Sequence, residues 1–191
     1  MIFNNTGKLE SDIFTFNNNK LENVKKYSYF GIVFNNNGSF TGAKQELYQK
    51  GLKAFFKLRK CFEHHKPKIK TLIHVFDHII KPIFLYGSEI WGQFPPNKLS
   101  DSFFYKLCNE LPAEKIHIKL CKYVLECTRR ATNIAVRGEL GRLPLFLEVV
   151  FNMIKYLVRL SNADCTGLIC DAYIESKKLH SENKTCWFNC A

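Results

Sequence analysis

The sequence predicts an α+β fold that is mainly α, with a short antiparallel β hairpin region at the N-terminus and helices from there onward. Two observations carry this reading. Up to about residue 38 the apolar residues come in short β-branched and aromatic runs, MIFN, IFTFN and YSYFGIVFN, separated by Asn, Gly and Lys; such runs between turn formers are strand signals. From Phe40 the apolar spacing changes to about 3.6 residues, the repeat of a helix that buries one face. A hydrophobic content of 46% with 14% aromatics over 191 residues is enough core for one domain or two small ones.

In the N-terminal region Asn17–Asn19 and Asn35–Gly38 are the expected turns, because Asn and Gly tolerate positive φ. YSYFGIVFN reads as a single strand. Strands this short bury little apolar surface alone, so they need cover from the helices or from another chain. A long helix is expected over residues 40–65, where Leu47, Ala54, Phe55, Leu58 and Phe62 share one arc. The next begins after Pro67 and carries Ile69, Leu72, Ile73, Phe76, Ile80 and Ile83 on one face, with Pro82 expected to kink or end it. QFPPNKLS, at 93–100, is the strongest linker signal. Beyond it, helices are expected near 101–109, 113–127, 131–140, 144–161 and 165–180, divided by Pro112, Gly141 with Pro144, and Asn162. The expected organisation is a hairpin region over 1–38, a helical region over 39–92, a linker at 93–100 and a second helical region over 101–191.

The net charge of +11 and pI near 9.3 point to a polyanionic partner. This charge is concentrated. Residues 44–70 hold nine basic residues against two acidic ones, Glu46 and Glu63. Lys50, Lys53, Lys57 and Lys60 are spaced 3, 4 and 3, which puts them on one stripe roughly opposite the apolar arc, and His64 continues it. A solvating helix face normally mixes both signs; this one does not, which favours phosphate contact. A second cluster, Lys115, Lys119, Lys122, Arg129, Arg130, Arg137 and Arg142, is diluted by Glu114, Glu126 and Glu139, so a second phosphate path and an ordinary solvated face stand level.

Other chemistry is missing from the sequence. It has no Walker A loop, GxGxxG, GxSxG or HExxH, and no Asp-Asp dipeptide to hold paired metal ions. The nearest carboxylate pair, Glu10 and Asp12, lies in an Asn-rich hairpin. No catalytic residue, metal ligand or small-molecule substrate is therefore expected. Cys165, Cys170, His180, Cys186 and Cys190 invite a zinc reading, but only Cys186 and Cys190 have metal-ligand spacing, so reduced thiols are the better account. The most apolar stretch, Leu72 to Trp91, is broken by His74, Asp77, His78, Lys81 and Glu89, too many polar groups for a membrane span, and MIFNNTGKLE has no signal-peptide pattern. The expected setting is intracellular, cytoplasmic or nuclear, without a membrane partner.

Three stretches resemble the reverse transcriptases of non-LTR retrotransposons, and together the likeness runs over essentially the whole chain. YSYFGIVFNNNGSF is similar to the YLG segment that follows their palm, with Phe30 in place of Leu; DHIIKPIFLYGSEIWG is similar to their thumb segment; and GELGRLPLFLEVVFNMIKYLVRL is similar to their downstream helical segment. The resemblance implies a palm-edge, primer-grip-like hairpin over 1–38, a thumb over 39–92 and a connection region over 101–191. It implies that Tyr29, Phe30 and Gly31 grip the primer and that Lys44 to Lys60 face the template-primer duplex, RNA or RNA/DNA. Tyr86, Gly87, Glu89 and Trp91 match a YGxExW pattern read as a packing motif. The family's metal-binding Asp-Asp motif and its fingers lie upstream of these segments, so Mg2+ belongs to the palm, and palm and fingers become implied partners. A stand-alone helical nucleic-acid-binding or protein-interaction module derived from such an element is the alternative.

Overall fold

In the computed structural model, residues 13–65, 67–92, 100–109, 111–162 and 167–182 are described. The fold is α+β and mainly α. Two separate antiparallel hairpins, β1 (Thr15–Phe16) with β2 (Asn19–Lys20) and β3 (Lys26–Tyr29) with β4 (Ile32–Asn35), precede the helices. The chain divides into two compact units, Met1–Lys50 and Gly51–Ala191. The expected MIFN strand lies outside the described residues, as does most of the 93–100 linker.

The first hairpin closes on Asn17 and Asn18, at φ 48° and 62°. Positive φ at both central residues is what a two-residue turn needs to match strand twist, and Asn accepts it. The second hairpin corrects a reading of the sequence. YSYFGIVFN is not one strand: Phe30 and Gly31 both have positive φ, at 46° and 79°, and Tyr29 pairs with Ile32 across them. The stretch folds back on itself because Gly31 supplies one of the two left-handed positions, while Phe30 occupies the other at the cost of strain. Such a turn is hidden in the sequence, where a bulky aromatic before glycine looks like more strand. Asn35–Gly38 forms the expected second turn, with Gly38 at φ 72° and its N–H donating to the Asn35 carbonyl at 3.0 Å.

Helix α1 (Thr41–Cys61) follows directly, its entry fixed by Ser39, whose Oγ accepts from the Thr41 N–H at 3.3 Å. Ala43, Leu47, Gly51 and Phe55 are its buried positions. Gly51 is required by packing rather than by backbone freedom, since a Cβ there would overlap the Phe84 ring. Gly51→Ala is expected to lower stability by about 1–2 kcal/mol in urea unfolding, overpacking outweighing the gain in helix propensity.

In the second unit α2 (Ile69–Val75), a π-helical turn (Phe76–Ile80) and α3 (Lys81–Leu85) form one continuous rod. Of the two outcomes expected at Pro82, a kink or an end, the end does not occur. A proline inside a regular helix meets the carbonyl four residues back and removes a hydrogen bond; the wider π turn just before it changes that register, and Pro82 falls in the opening turn of α3. The rod stops at Tyr86, extended at ψ 119°, followed by Gly87 at φ 67°. Short helix α4 (Ser88–Trp91) then packs on α8 (Leu145–Asn162), where Asn152 Nδ2 donates to the buried Ser88 Oγ at 2.9 Å. Trp91 Nε1 donates to the Tyr86 carbonyl at 2.7 Å, and a Cβ at Gly92 would strike Val149 and Met153. YGSEIWG is thus a stop, a turn and a close helix approach in seven residues.

Helices α5 (Asp101–Asn109), α6 (Pro112–Val124), α7 (Asn133–Glu139) and α9 (Leu168–Ser181) complete the described chain within a few residues of their expected positions. Ser100 caps α5 by accepting from the Phe103 N–H at 3.3 Å, and Pro112 opens α6 where a missing N–H is harmless. The core of this unit gathers Phe55, Phe76, Ile80, Ile116, Leu120 and Leu145, all nearly inaccessible to solvent.

That core contains ions. Glu114 is fully buried; its Oε2 accepts from Arg137 Nη2 at 2.8 Å and its Oε1 from the Phe146 N–H at 2.9 Å. Arg137 also donates to the Cys108 carbonyl. Beside them His117, buried and stacked on Phe76, accepts through Nε2 from Arg142 Nε at 3.2 Å, which leaves its proton on Nδ1, 3.5 Å from Glu114. Arg142 closes the circuit with two bonds to Asp77 at 2.7 and 2.5 Å, fixing the π turn to the segment before α8. Burial alone would raise the Asp77 carboxyl, yet the Arg142 hydrogen bonds and charge, with Lys81 near, hold it below its ordinary value.

Burial lowers the His117 pKa from its ordinary 6.5, and the Arg142 and Arg137 charges act in the same direction, against Glu114. The unfolded chain therefore binds more protons than the folded one in the window below 6.5, so the contribution of neutral His117 is complete above that pH and is lost as pH falls through the lowered folded value. Unfolding free energy is expected to decline below about pH 6.5, and His117→Gln to flatten that decline.

Candidate nucleic-acid interface

Lys50, Lys53, Lys57 and Lys60 are all exposed on α1. At 100° per residue they fall within an arc of about 80°. The arc lies beside the buried one, about 120° round from its centre, rather than opposite it. Glu46, the one carboxylate within α1, precedes this stripe. Lys44 is exposed as well but separate: it stands about 120° from Lys50 round the helix, and partial desolvation of its ammonium lowers its pKa below the ordinary lysine value. His64 lies past the end of α1, exposed.

In the first unit Tyr29, Phe30 and Gly31 form the tip of the second hairpin. Phe30 is 76% exposed, with the Tyr29 ring edge-on at 4.4 Å, and all four residues of β3 are exposed.

The second basic cluster separates by burial. Arg137 and Arg142 turn inward and are consumed by Glu114 and Asp77, so they are structural cations and not part of a phosphate path. Lys115, Lys119, Arg129 and Arg130 remain exposed, and Lys122 is half-buried with its Nζ donating to the Arg129 carbonyl at 3.0 Å. No local pattern announces this division, because Glu114 lies 23 residues from Arg137 and Asp77 lies 65 from Arg142, and both arginines carry the same polar signature as their exposed neighbours.

Among the described residues no group of three or more His, Cys, Asp or Glu is placed to hold a metal ion. Of the residues considered for zinc, Cys170 is buried and His180 exposed, whereas Cys165, Cys186 and Cys190 lie outside the described residues, as do Glu10 and Asp12. Burial pushes the Cys121 thiol up to about 11, which suits an inert core residue rather than a nucleophile. Among the described residues no helix is long and apolar enough to cross a membrane.

No protein-family model matches this chain, and neither a curated protein nor a solved structure matches it.

Proposed function

We propose that this chain is part of a non-LTR retrotransposon reverse transcriptase, an RNA-directed DNA polymerase, and that its work there is to grip the RNA or RNA/DNA template-primer duplex. The observation that supports this best is the exposed lysine stripe of α1, four cations at helical spacing on a helix whose neighbouring arc is buried. Anchored on one side and cationic on the other, such a helix can lie along a phosphate backbone, and each phosphate it neutralises releases a condensed counterion. In this reading Mg2+ and the polymerase carboxylates belong to the palm, which with the fingers is the protein partner. The strained, exposed Phe30 turn and the exposed Tyr27 and Tyr29 suit a hairpin completed by such a partner. The same surface would serve a stand-alone interaction module derived from the element. Either setting is intracellular.

Binding to a primed RNA/DNA duplex tests the reading. Affinity is expected to fall linearly on a log–log salt plot, and the chain alone is expected to extend no primer when given dNTPs and Mg2+. Salt-independent binding, or no binding, would remove the duplex grip; primer extension would remove the assignment of catalysis to the palm.

A further inference from the structure

Between the second half of α1 and α6 runs an open groove of about 720 Å³, with Phe56 and Arg59 on one wall and Lys119, Lys122, Tyr123 and Arg129 on the other. Four cations and one carboxylate, Glu126, line it. The Arg59 guanidinium lies over the Tyr123 ring, 5.2 Å from its centroid, which fixes both at the groove's edge. Phe56 is 50% exposed, its ring tilted at 58° to that of its neighbour Phe55, 5.8 Å away, which is only 2% exposed. On α1, Phe56 stands three residues after Lys53 and four before Lys60, so it shares a face with two stripe lysines.

We infer that this groove is a binding site for single-stranded nucleic acid, in which an unpaired base stacks on Phe56 while Lys119, Lys122 and Arg129 take the backbone phosphates. The inference rests on the reading of the chain as a nucleic-acid binder but concerns a different site and a different ligand. Charge complementarity calls for an anion; the exposed ring calls for a flat partner. A duplex meets the second requirement only at its two ends, because its internal base faces are already stacked, whereas a single strand offers one per nucleotide. An acidic peptide would satisfy the cations and leave Phe56 without a role. The continuity of Lys53, Phe56 and Lys60 gives the site a use: a strand leaving a duplex held on the stripe has a cationic, aromatic path ahead of it.

The test is fluorescence anisotropy of the full chain with a labelled oligouridylate of about ten nucleotides and, separately, a blunt RNA/DNA duplex. Phe56→Ala is expected to weaken the single strand by about tenfold while changing the duplex by less than about twofold, and Phe56→Trp to restore the single strand. Lys119→Ala is expected to reduce the single-strand salt slope by about 0.7. Equal losses on both ligands, no loss on the single strand, or displacement by polyglutamate as readily as by oligouridylate would overturn the inference. Binding of the duplex without the single strand would defeat this site alone, and binding of neither would defeat the duplex grip as well.

Discussion

Replacing Lys50, Lys53, Lys57 and Lys60 together by alanine is expected to lower the salt slope of duplex binding by about 4, one unit for each phosphate that is no longer neutralised. The size follows from counterion release: for a stripe neutralising four phosphates, a fourfold rise in salt weakens binding by roughly 150-fold, and a chain without the stripe loses that dependence. Alanine suits helix interiors and the four side chains are exposed, so the fold should survive, as helical circular dichroism can verify. Lys44→Ala is the internal control. It is exposed but lies off the stripe, about 120° from Lys50 round the helix, and its removal should leave the slope unchanged. A slope that falls as much with Lys44→Ala as with a stripe lysine would mean that total charge, not the stripe, governs binding.

Glu114→Ala is expected to destabilise the helical unit by about 3–5 kcal/mol, read as a drop in the urea midpoint. The effect is large because removing one carboxylate strands several partners at once. Arg137 keeps a buried charge with only the Cys108 carbonyl, the Phe146 N–H loses its acceptor, and the His117 Nδ1 proton loses its nearest negative charge. Exchanging the whole set for apolar residues would be far milder than breaking it, since a buried pair must first recover its own desolvation. Asp77→Ala should have a smaller effect, because Asp77 and Arg142 both keep some access to water.

Much of this fold was legible from periodicity. The long helix of residues 41–61, the helices on both sides of Pro112, and the long apolar helix starting at Leu145 follow from apolar spacing and from Pro and Gly signals, which are local. Two backbone features were not. The Phe30–Gly31 turn puts an aromatic at positive φ, against its own preference, and a π turn precedes Pro82 within the helical rod, where local rules call for a kink or an end without saying how the backbone accommodates the ring. Both are cases in which the surrounding structure overrides residue propensity.

The stripe was legible because helix spacing alone places four lysines on one face. Its neighbours were not. Lys44 joined the series only through the family resemblance, and helix phase sets it about 120° from Lys50. Arg137 and Arg142 looked like members of a basic patch, yet their partners Glu114 and Asp77 lie 23 and 65 residues away in the chain, beyond any local pattern. The groove between α1 and α6 was likewise invisible, since Phe56 and Arg59 meet Tyr123 only through the tertiary fold.

The most direct measurement of the duplex grip is lysine acetylation of the full chain, with and without a primed RNA/DNA duplex, read residue by residue by mass spectrometry. Lys50, Lys53, Lys57 and Lys60 are expected to become protected, while Lys106 and Lys178, exposed on other helices, react as in the free chain. Protection spread evenly over all exposed lysines, or absent from the stripe, would contradict a duplex held along α1.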